Sequence, residues 1–526
     1  MNSVILSALA LLLVASAVAV LARFVRIPYT LALVLAGLVL AAFHVPGLSA
    51  VHLTPQLLLT VLLPPLLFEA SFHLDFQRFR QDATLILTLA GPALLVAVAV
   101  TAGLLWAAAP LAGLTAISFG LALLFASMIG ATDPVSVLAL FKEVGVGRRL
   151  YTIVEGESLL NDGVSVVLFL IVGASLGLDL HGASVPEGEP LALFAVRTFV
   201  WMAGVGTGIG LIIGLIGSAI TRQIEDRLVE IVLSTLVAWG SFMLAEQAHA
   251  SGVLACVAAG MVHGNIGGKH GMSAATRVAV ADFWEFAAFF SNTVIFLLLG
   301  LDLDAPQLAS HVGPVAIAFG VVLIGRVTSV AATAALSRAL RLPSVPVAWW
   351  GVLVWGGLRG GLSMVLAIGL PQDTPGRSTL VMLVFGVVGI SLLVQGLTMK
   401  PLLARLGVAG EQRPKGYDVA RLQSISANRA LAELRRMESA GLVAPALAAE
   451  RRAALEAALA EHDANASALV HEAIVAAERR ELLLHLLTVQ VDAVRAAVHE
   501  GIADDEAAGE VLAELAQRRD AAEGHG

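Results

Sequence analysis

The sequence has one cysteine, Cys256, and that scarcity excludes an intrachain disulfide, a multi-cysteine zinc site and an iron–sulfur cluster. Charge is scarce too. Asp, Glu, Lys and Arg make up 14% of 526 residues, against about 25% in an average soluble domain, which excludes an ordinary soluble chain. The first apolar block, Ser3 to Ala22, has no basic residue before it and no obvious small-residue cleavage site before Arg23, so it reads as a retained span and not a cleaved signal. No metal motif and no Ser/His/Asp set at one depth is found, so nothing in the sequence points to an enzyme or to a bound cofactor. The formal net charge of -8 is modest, and its meaning depends on which side of a bilayer each charge occupies.

What is present is apolar. Hydrophobic residues make up 58% of the chain and fall into repeated blocks of roughly 20, long enough to cross about 30 Å of hydrocarbon at about 1.5 Å per residue. The blocks predict an all-α polytopic membrane protein of about 13 spans: 3–22, 29–44, 56–72, 84–108, 115–141, 150–176, 192–219, 227–246, 251–264, 280–301, 312–336, 346–370 and 378–399. Lys and Arg accumulate on the cytoplasmic side of a membrane, so alternate loops test the count. One alternating set holds Arg23, Arg26, Arg78, Arg80, Lys142, Arg148, Arg149, Arg222, Arg227, Lys269, Arg277, Arg338 and Arg341, and the other holds only Arg377. A missed span would scramble every later loop. The asymmetry therefore places the C-terminus in the cytoplasm and the N-terminus outside.

Beyond about Gly410 the composition turns to Glu, Arg and Ala, with apolar residues at helical spacing, as in Ala430, Leu431, Leu434 and Met437. The chain is expected to divide into a membrane domain over 1–405 and a cytoplasmic helical tail over 411–526, regulatory or dimerising, without a glycine-rich phosphate loop or metal-ligand cluster.

Two spans break the apolar pattern. Gly130-Ala131-Thr132-Asp133-Pro134 interrupts 115–141, where proline removes a donor and glycine relaxes the chain, so Thr132 and its neighbours are expected to expose carbonyls that can hold a cation. The next span carries Glu157, Ser158, Asn161 and Asp162, paired at i,i+4 on one broad face. Each ionised group at mid-bilayer costs about 2.5–3.5 kcal/mol on insertion scales, so these two acids and Asp133 require a cation, a proton or an arginine. Arg326, about mid-span, is placed in depth to neutralise Glu157, which leaves Asp162 to alternate between a proton and a cation. Arg359 lies in a second break, Gly356 to Gly361. The breaks occupy the fifth spans of two six-span halves, as in an inverted repeat whose discontinuous helices meet at a transport site. The oxygens on offer suit a hard cation such as sodium.

At these residues the chain resembles the sodium/proton exchanger family of the NhaP type, over roughly 1–405. The marks are Leu63-Pro64-Pro65-Leu66-Leu67-Phe68-Glu69, Ala131-Thr132-Asp133-Pro134-Val135, Glu155 to Gly163, Asn292 with Ile295-Phe296, and Gly356 to Gly361. The resemblance implies a sodium ion bound by Asp162, Ser158, Glu157 and the Thr132 carbonyl, with Asp133 nearby through water, and Asn161 pairing with the Glu157–Arg326 couple. It implies electroneutral one-for-one exchange from the Asn161-Asp162 pair, and a homodimer in which a six-helix core slides against a fixed dimer domain. Sodium and protons are the expected substrates and the bilayer the expected surroundings, in a bacterial inner membrane, with no nucleic-acid partner. Potassium/proton exchange in the same fold and a cation channel are the competing readings.

Other signals carry less. Gly173-Ala174-Ser175-Leu176-Gly177 fits a nucleophile-elbow string but ends a membrane helix. Gly204, Gly206, Gly208, Gly210 and Gly214 suggest close helix packing. Glu69, Glu230, Glu246, Asp282 and Glu285 are read mostly as interfacial, Arg197 as snorkelling to the interface, and His249 and His263 as loop histidines at span ends.

Overall fold

The computed structural model describes residues 2–408 except 26–28, 44–56, 112, 115–116, 179, 181–184, 303–305, 307–309 and 340–344, then 417–468 except 441, and scattered positions between 479 and 518. Contacts divide the chain into two compact units, Met1–Val408 and Ala409–Gly526. The regular elements among the described residues are helices.

The first unit contains α1 (Asn2–Val25), α2 (Tyr29–Ala42), α3 (Leu57–His73), α4 (Phe76–Ala108), α5 (Phe119–Met128), α6 (Val135–Val144), α7 (Arg148–Ser175) and α8 (Leu191–Thr221). It continues with α9 (Arg227–Gln247), α10 (Gly252–Gly268), α11 (Ala274–Asp302), α12 (Val312–Ala339), α13 (Val347–Trp355), α14 (Gly361–Ile368) and α15 (Arg377–Arg405). Among the described residues, seven helices, α4, α7, α8, α9, α11, α12 and α15, are long and apolar enough to cross a membrane. The broken pairs α5–α6 and α13–α14 fall outside that set because each half is short. Val196, Val200, Leu211, Ile212 and Leu215 stand exposed along α8, as expected of a helix solvated by lipid.

Several helices run past the apolar blocks that announce them. α4 begins at Phe76 because the Asp75 side chain accepts from the backbone amides of Gln77 and Arg78, at 2.9 and 3.3 Å, satisfying two donors that a helix start leaves free. Pro92 lies inside α4, and a wide π turn over Leu89–Ala93 absorbs the proline without ending the helix. A second π turn, His263–Gly268, extends α10. His263 is therefore not a loop residue. It is fully buried among Phe68, Phe72 and Gly217. Glu230, in the first turn of α9, is buried and accepts from Thr221 Oγ1 at 2.8 Å, whereas Glu246, Asp282 and Glu285 are exposed and Glu69 is half-buried.

The helices of the first unit form two packed groups. In one, α10 packs on α3, α8 and α9, and α11 packs on α2, α3 and α9. Gly206, Gly210 and Gly214, four apart, turn toward the backbone of Ser251, Ala255 and Ala259, where any side chain would collide, whereas Gly204 and Gly208 face open space. In the other group α4 packs on α5, α7 and α12, and α15 packs on α12 and α14. Thr30 on α2 and Ser136 on α6 join the groups through a 2.7 Å hydroxyl pair.

The second unit contains a helical hairpin, α16 (Tyr417–Ser439) and α17 (Pro445–Ala468), with Ala427, Leu431 and Ala448 buried and Arg452 paired with Glu438 across it. Glu433 bonds Arg436 one turn on, and that bond holds its carboxyl below the ordinary range.

Candidate functional site

The site is built where two helices stop. α5 ends at Met128, residues 129–134 are not helical, and α6 resumes at Val135; α13 ends at Trp355 and α14 resumes at Gly361. Each interruption frees backbone groups that a dry interior must satisfy. The breaks satisfy one another. The Asp133 amide donates to the Leu358 carbonyl at 2.8 Å, and Arg359 Nη1 donates to the Gly130 and Ala131 carbonyls at 2.9 and 3.3 Å. The sense of the charges suits the helix ends: a cation meets the carbonyl end of α5, and Asp133 sits before the amide end of α6, with Oδ1 accepting from the Val135 amide at 2.9 Å. The approach is close enough that a Cβ on Gly360 would overlap Asp133, and one on Gly357 would stand 2.9 Å from Arg326 Nε.

Arg359 therefore caps two of the carbonyls that the first break exposes. The Thr132 carbonyl is held separately, by the Ser158 hydroxyl of α7. Thr132 Oγ1 in turn donates to Ser158 Oγ at 3.3 Å and accepts from Asn161 Nδ2 at 3.2 Å. Asn161 Nδ2 also reaches Glu157 Oε1 at 3.3 Å.

Glu157 is fully engaged. Arg326 Nη1 bonds Oε1 and Nη2 bonds Oε2 at 3.0 Å, while the same guanidinium donates from Nε and Nη2 to the Leu353 carbonyl at 3.1 and 2.7 Å. Both partners are buried, and this two-pronged geometry is what a buried ion pair requires to offset desolvation. Arg326 thus joins α7 to the end of α13.

Asp162, one turn beyond Ser158, is half-buried, and its Oδ1 is buried with no hydrogen-bond partner. A cavity of about 10 Å³ lies between Thr132, Glu157, Ser158, Arg326 and Gly356, room for about one water. Asp162 lies off it. The structure thus gathers Thr132, Ser158, Asn161, Glu157 and Arg326 into one hydrogen-bonded group, sets Asp133 and Arg359 at the crossing of the breaks, and ties Asp162 to the Thr132 backbone while its Oδ1 has no partner. No group of three or more His, Cys, Asp or Glu residues able to hold a metal occurs among the described residues. The side chains and backbone groups gathered with Asp162 and Ser158 offer carboxylate, hydroxyl, amide and carbonyl oxygens.

Sequence reasoning did not identify the support behind the second break. The Arg359 amide donates to Ser391 Oγ at 3.1 Å, Ser391 bonds Gln395 Oε1 at 2.5 Å, and Gln395 Nε2 donates to the Trp355 carbonyl at 3.2 Å. Ser391 and Gln395 bound a π turn in α15, and their i,i+4 polar pairing in an apolar span was the available signal.

Over residues 9–405 the chain matches the family described as sodium/hydrogen exchanger, transmembrane. It is 38% identical over 423 residues to the low-affinity Na(+)/H(+) antiporter NhaS1 of Synechocystis, covering 78% of this chain and 76% of that protein. It is 37% identical over 407 residues to the Na(+)/H(+) antiporter NhaG of Bacillus atrophaeus, covering 75% and 74%. The fold is similar to the solved structure of the sodium proton antiporter MjNhaP1 of Methanocaldococcus jannaschii, with TM-score 0.61 at 18% identity, covering 77% of this chain and 99% of that one.

Proposed function

The chain belongs to the sodium/hydrogen exchanger family, and from that premise we propose that it exchanges sodium for protons across a bacterial inner membrane, one for one, by alternating access of a single buried site. The observation that carries the proposal is the unequal treatment of two acids on α7. Arg326 and Asn161 occupy both carboxylate oxygens of Glu157, whereas Asp162 keeps a buried oxygen with no partner. An ionised Asp162 without a counterion is costly at membrane depth, so it favours either a proton or a cation. The two compete for one carboxylate. When both loaded forms cross and the empty charged form crosses poorly, competition alone gives exchange, and one titrating carboxylate per cycle gives one proton per sodium.

In this reading the cation is held by Asp162, Ser158, Glu157 and the Thr132 carbonyl, with Asp133 reached through water. Reaching all four requires the Ser158–Thr132 bond to open as the cation enters. Glu157 contributes charge already balanced by Arg326, Asn161 holds that couple in place, and Arg359 keeps the crossing of the breaks neutral. The architecture proposed with it is 13 spans in two inverted six-helix repeats, a cytoplasmic C-terminus, and a homodimer in which the group built on α4, α7, α12 and α15 slides against the group built on α3, α8, α10 and α11. The tail over 411–526 takes the regulatory or dimerising role.

The test is proton movement from acidified proteoliposomes on addition of sodium, potassium or lithium, with and without a potential clamp. Sodium-driven efflux indifferent to the clamp supports electroneutral sodium/proton exchange. Efflux with potassium alone reassigns the ion. Asp162→Asn keeps the side chain's shape and removes its titration, so exchange is expected to fall to background while the protein still folds. Full residual exchange in that variant would sink the mechanism.

A further inference from the structure

Buried hydroxyls in the membrane helices mostly donate to a carbonyl one turn back on their own helix. Ser127 does so to Leu124, Ser218 to Gly214, Ser329 to Arg326 and Thr333 to Ser329, at 2.7 to 2.9 Å. Ser165 on α7 does not, and neither do Ser337 on α12 and Ser363 on α14; Ser165 differs in lying three and four residues from two further unpartnered oxygens. Its side chain is wholly buried, and its Oγ has no hydrogen-bond partner. It lies against the first helix break, where a Cβ built on Gly130 would stand 2.8 Å from Ser165 Oγ.

Ser165 is three residues beyond Asp162 and four beyond Asn161, so the three share one face of α7. Asn161 Oδ1 and Asp162 Oδ1 are also buried without a partner. Three orphaned oxygens within about one turn of one helix face are a concentration that packing alone does not call for, because each costs about 1–3 kcal/mol when left unmade. A Ser165 hydroxyl could remove its own share by bonding back along α7, as its counterparts do. The chemistry that satisfies a carboxylate, an amide oxygen and a hydroxyl oxygen together is a hard monovalent cation, which such ligands hold in place of its hydration shell.

We propose that Asp162 Oδ1, Asn161 Oδ1 and Ser165 Oγ form a second half-site for the transported alkali cation, on the side of Thr132 toward Ser175, with Ser165 as a specificity-determining ligand. The cation passes between this half-site and the Thr132–Ser158 oxygens, sharing Asp162 between the two positions. Gly130 is part of the device, since the missing side chain there leaves the Ser165 hydroxyl its space. The proposal rests on the exchange function proposed above.

The full-length protein and its Ser165→Ala and Ser165→Thr variants separate the two readings in proteoliposomes, with sodium, lithium and potassium varied, and by sodium-dependent thermal stabilisation in detergent. Ser165→Ala is expected to raise the sodium KM and the midpoint of sodium stabilisation together, by roughly fivefold, the worth of one net polar contact. Maximal velocity should change little, the lithium-to-sodium preference should shift, and Ser165→Thr should restore both constants. An unchanged KM and midpoint in Ser165→Ala, beside a normal parent, overturns the half-site alone. If Ser165→Ala does not fold, Gly130→Ala tests the same contact: a raised sodium midpoint supports the half-site and an unaltered one overturns it. A parent protein with no cation-driven exchange overturns the function and the half-site with it.

Discussion

The two helix breaks bond one another but do opposite work. The α5–α6 break supplies oxygen: the Thr132 carbonyl and hydroxyl face α7, and Asp133 stands at the start of α6. The α13–α14 break supplies space and positive charge: Gly357 and Gly360 admit Arg326 and Asp133, and Arg359 reaches across to the Gly130 and Ala131 carbonyls. A site made of two equal breaks would gather carbonyls with nothing to balance them. Here one break neutralises the other, and Asn161, Asp162 and Ser165, all on α7, each keep a buried oxygen without a partner. Glycine and proline set where the chain opens, and the residues in each opening set which break supplies oxygen and which supports.

The comparison is broken most severely at Arg326, which ties Glu157 to the end of α13 through Leu353. Arg326→Ala leaves a buried carboxylate unpaired and is expected to cost roughly 3–5 kcal/mol, read as loss of thermal stability in detergent. Adding Glu157→Gln removes the stranded charge, so the double variant should be more stable than Arg326→Ala alone. If the two losses simply add, the pair is not what holds α7 to α13.

A smaller effect sharpens the role of the second break. Gly360→Ala puts a methyl group into Asp133, and overpacking of this kind costs about 1–3 kcal/mol. Stability and sodium-driven exchange should fall together, because the same shift moves Asp133 and loosens the Asp133–Leu358 bond. Gly204→Ala, which meets open space on α8, is the matched control. Equal behaviour of the two variants would mean that the second break does not work by making room.

Much of this arrangement was legible in the sequence because it is local. Pro134 and the glycines from Gly356 to Gly361 announce the breaks, and i,i+4 spacing places Glu157, Ser158, Asn161 and Asp162 on one face. The pairing of Arg326 with Glu157 could be inferred from depth and from the shortage of other intramembrane cations. The reach of Arg359 could not, because its acceptors lie 228 and 229 positions away on backbone atoms that carry no residue signature. His263 was misread for a different reason. A π turn prolongs α10 beyond the apolar block, so a residue that sequence places at a span end lies in the interior. The burial of Glu230 and its bond from Thr221, on the neighbouring helix, were not legible either, since they depend on how α8 and α9 pack.

The finest test of the comparison is within Thr132, which offers α7 two different oxygens. Thr132→Ser keeps both the carbonyl and the hydroxyl and removes only a methyl group, so exchange and stability should remain close to those of the parent. Thr132→Val keeps the shape and the carbonyl but removes the hydroxyl, leaving Asn161 Nδ2 with Glu157 as its remaining partner and Ser158 Oγ without the Thr132 donor. That loss is expected to cost about 1 kcal/mol, a net hydrogen bond, and to raise the sodium KM by roughly fivefold. Ser158 can still bond the Thr132 carbonyl, so the break keeps its geometry. If Thr132→Val matches the parent in KM, the hydroxyl is packing and the first break contributes through its carbonyl alone. If Thr132→Ser already shows the larger loss, the methyl group positions the break, and the division between an oxygen-supplying half and a space-supplying half is less sharp than the hydrogen bonds indicate.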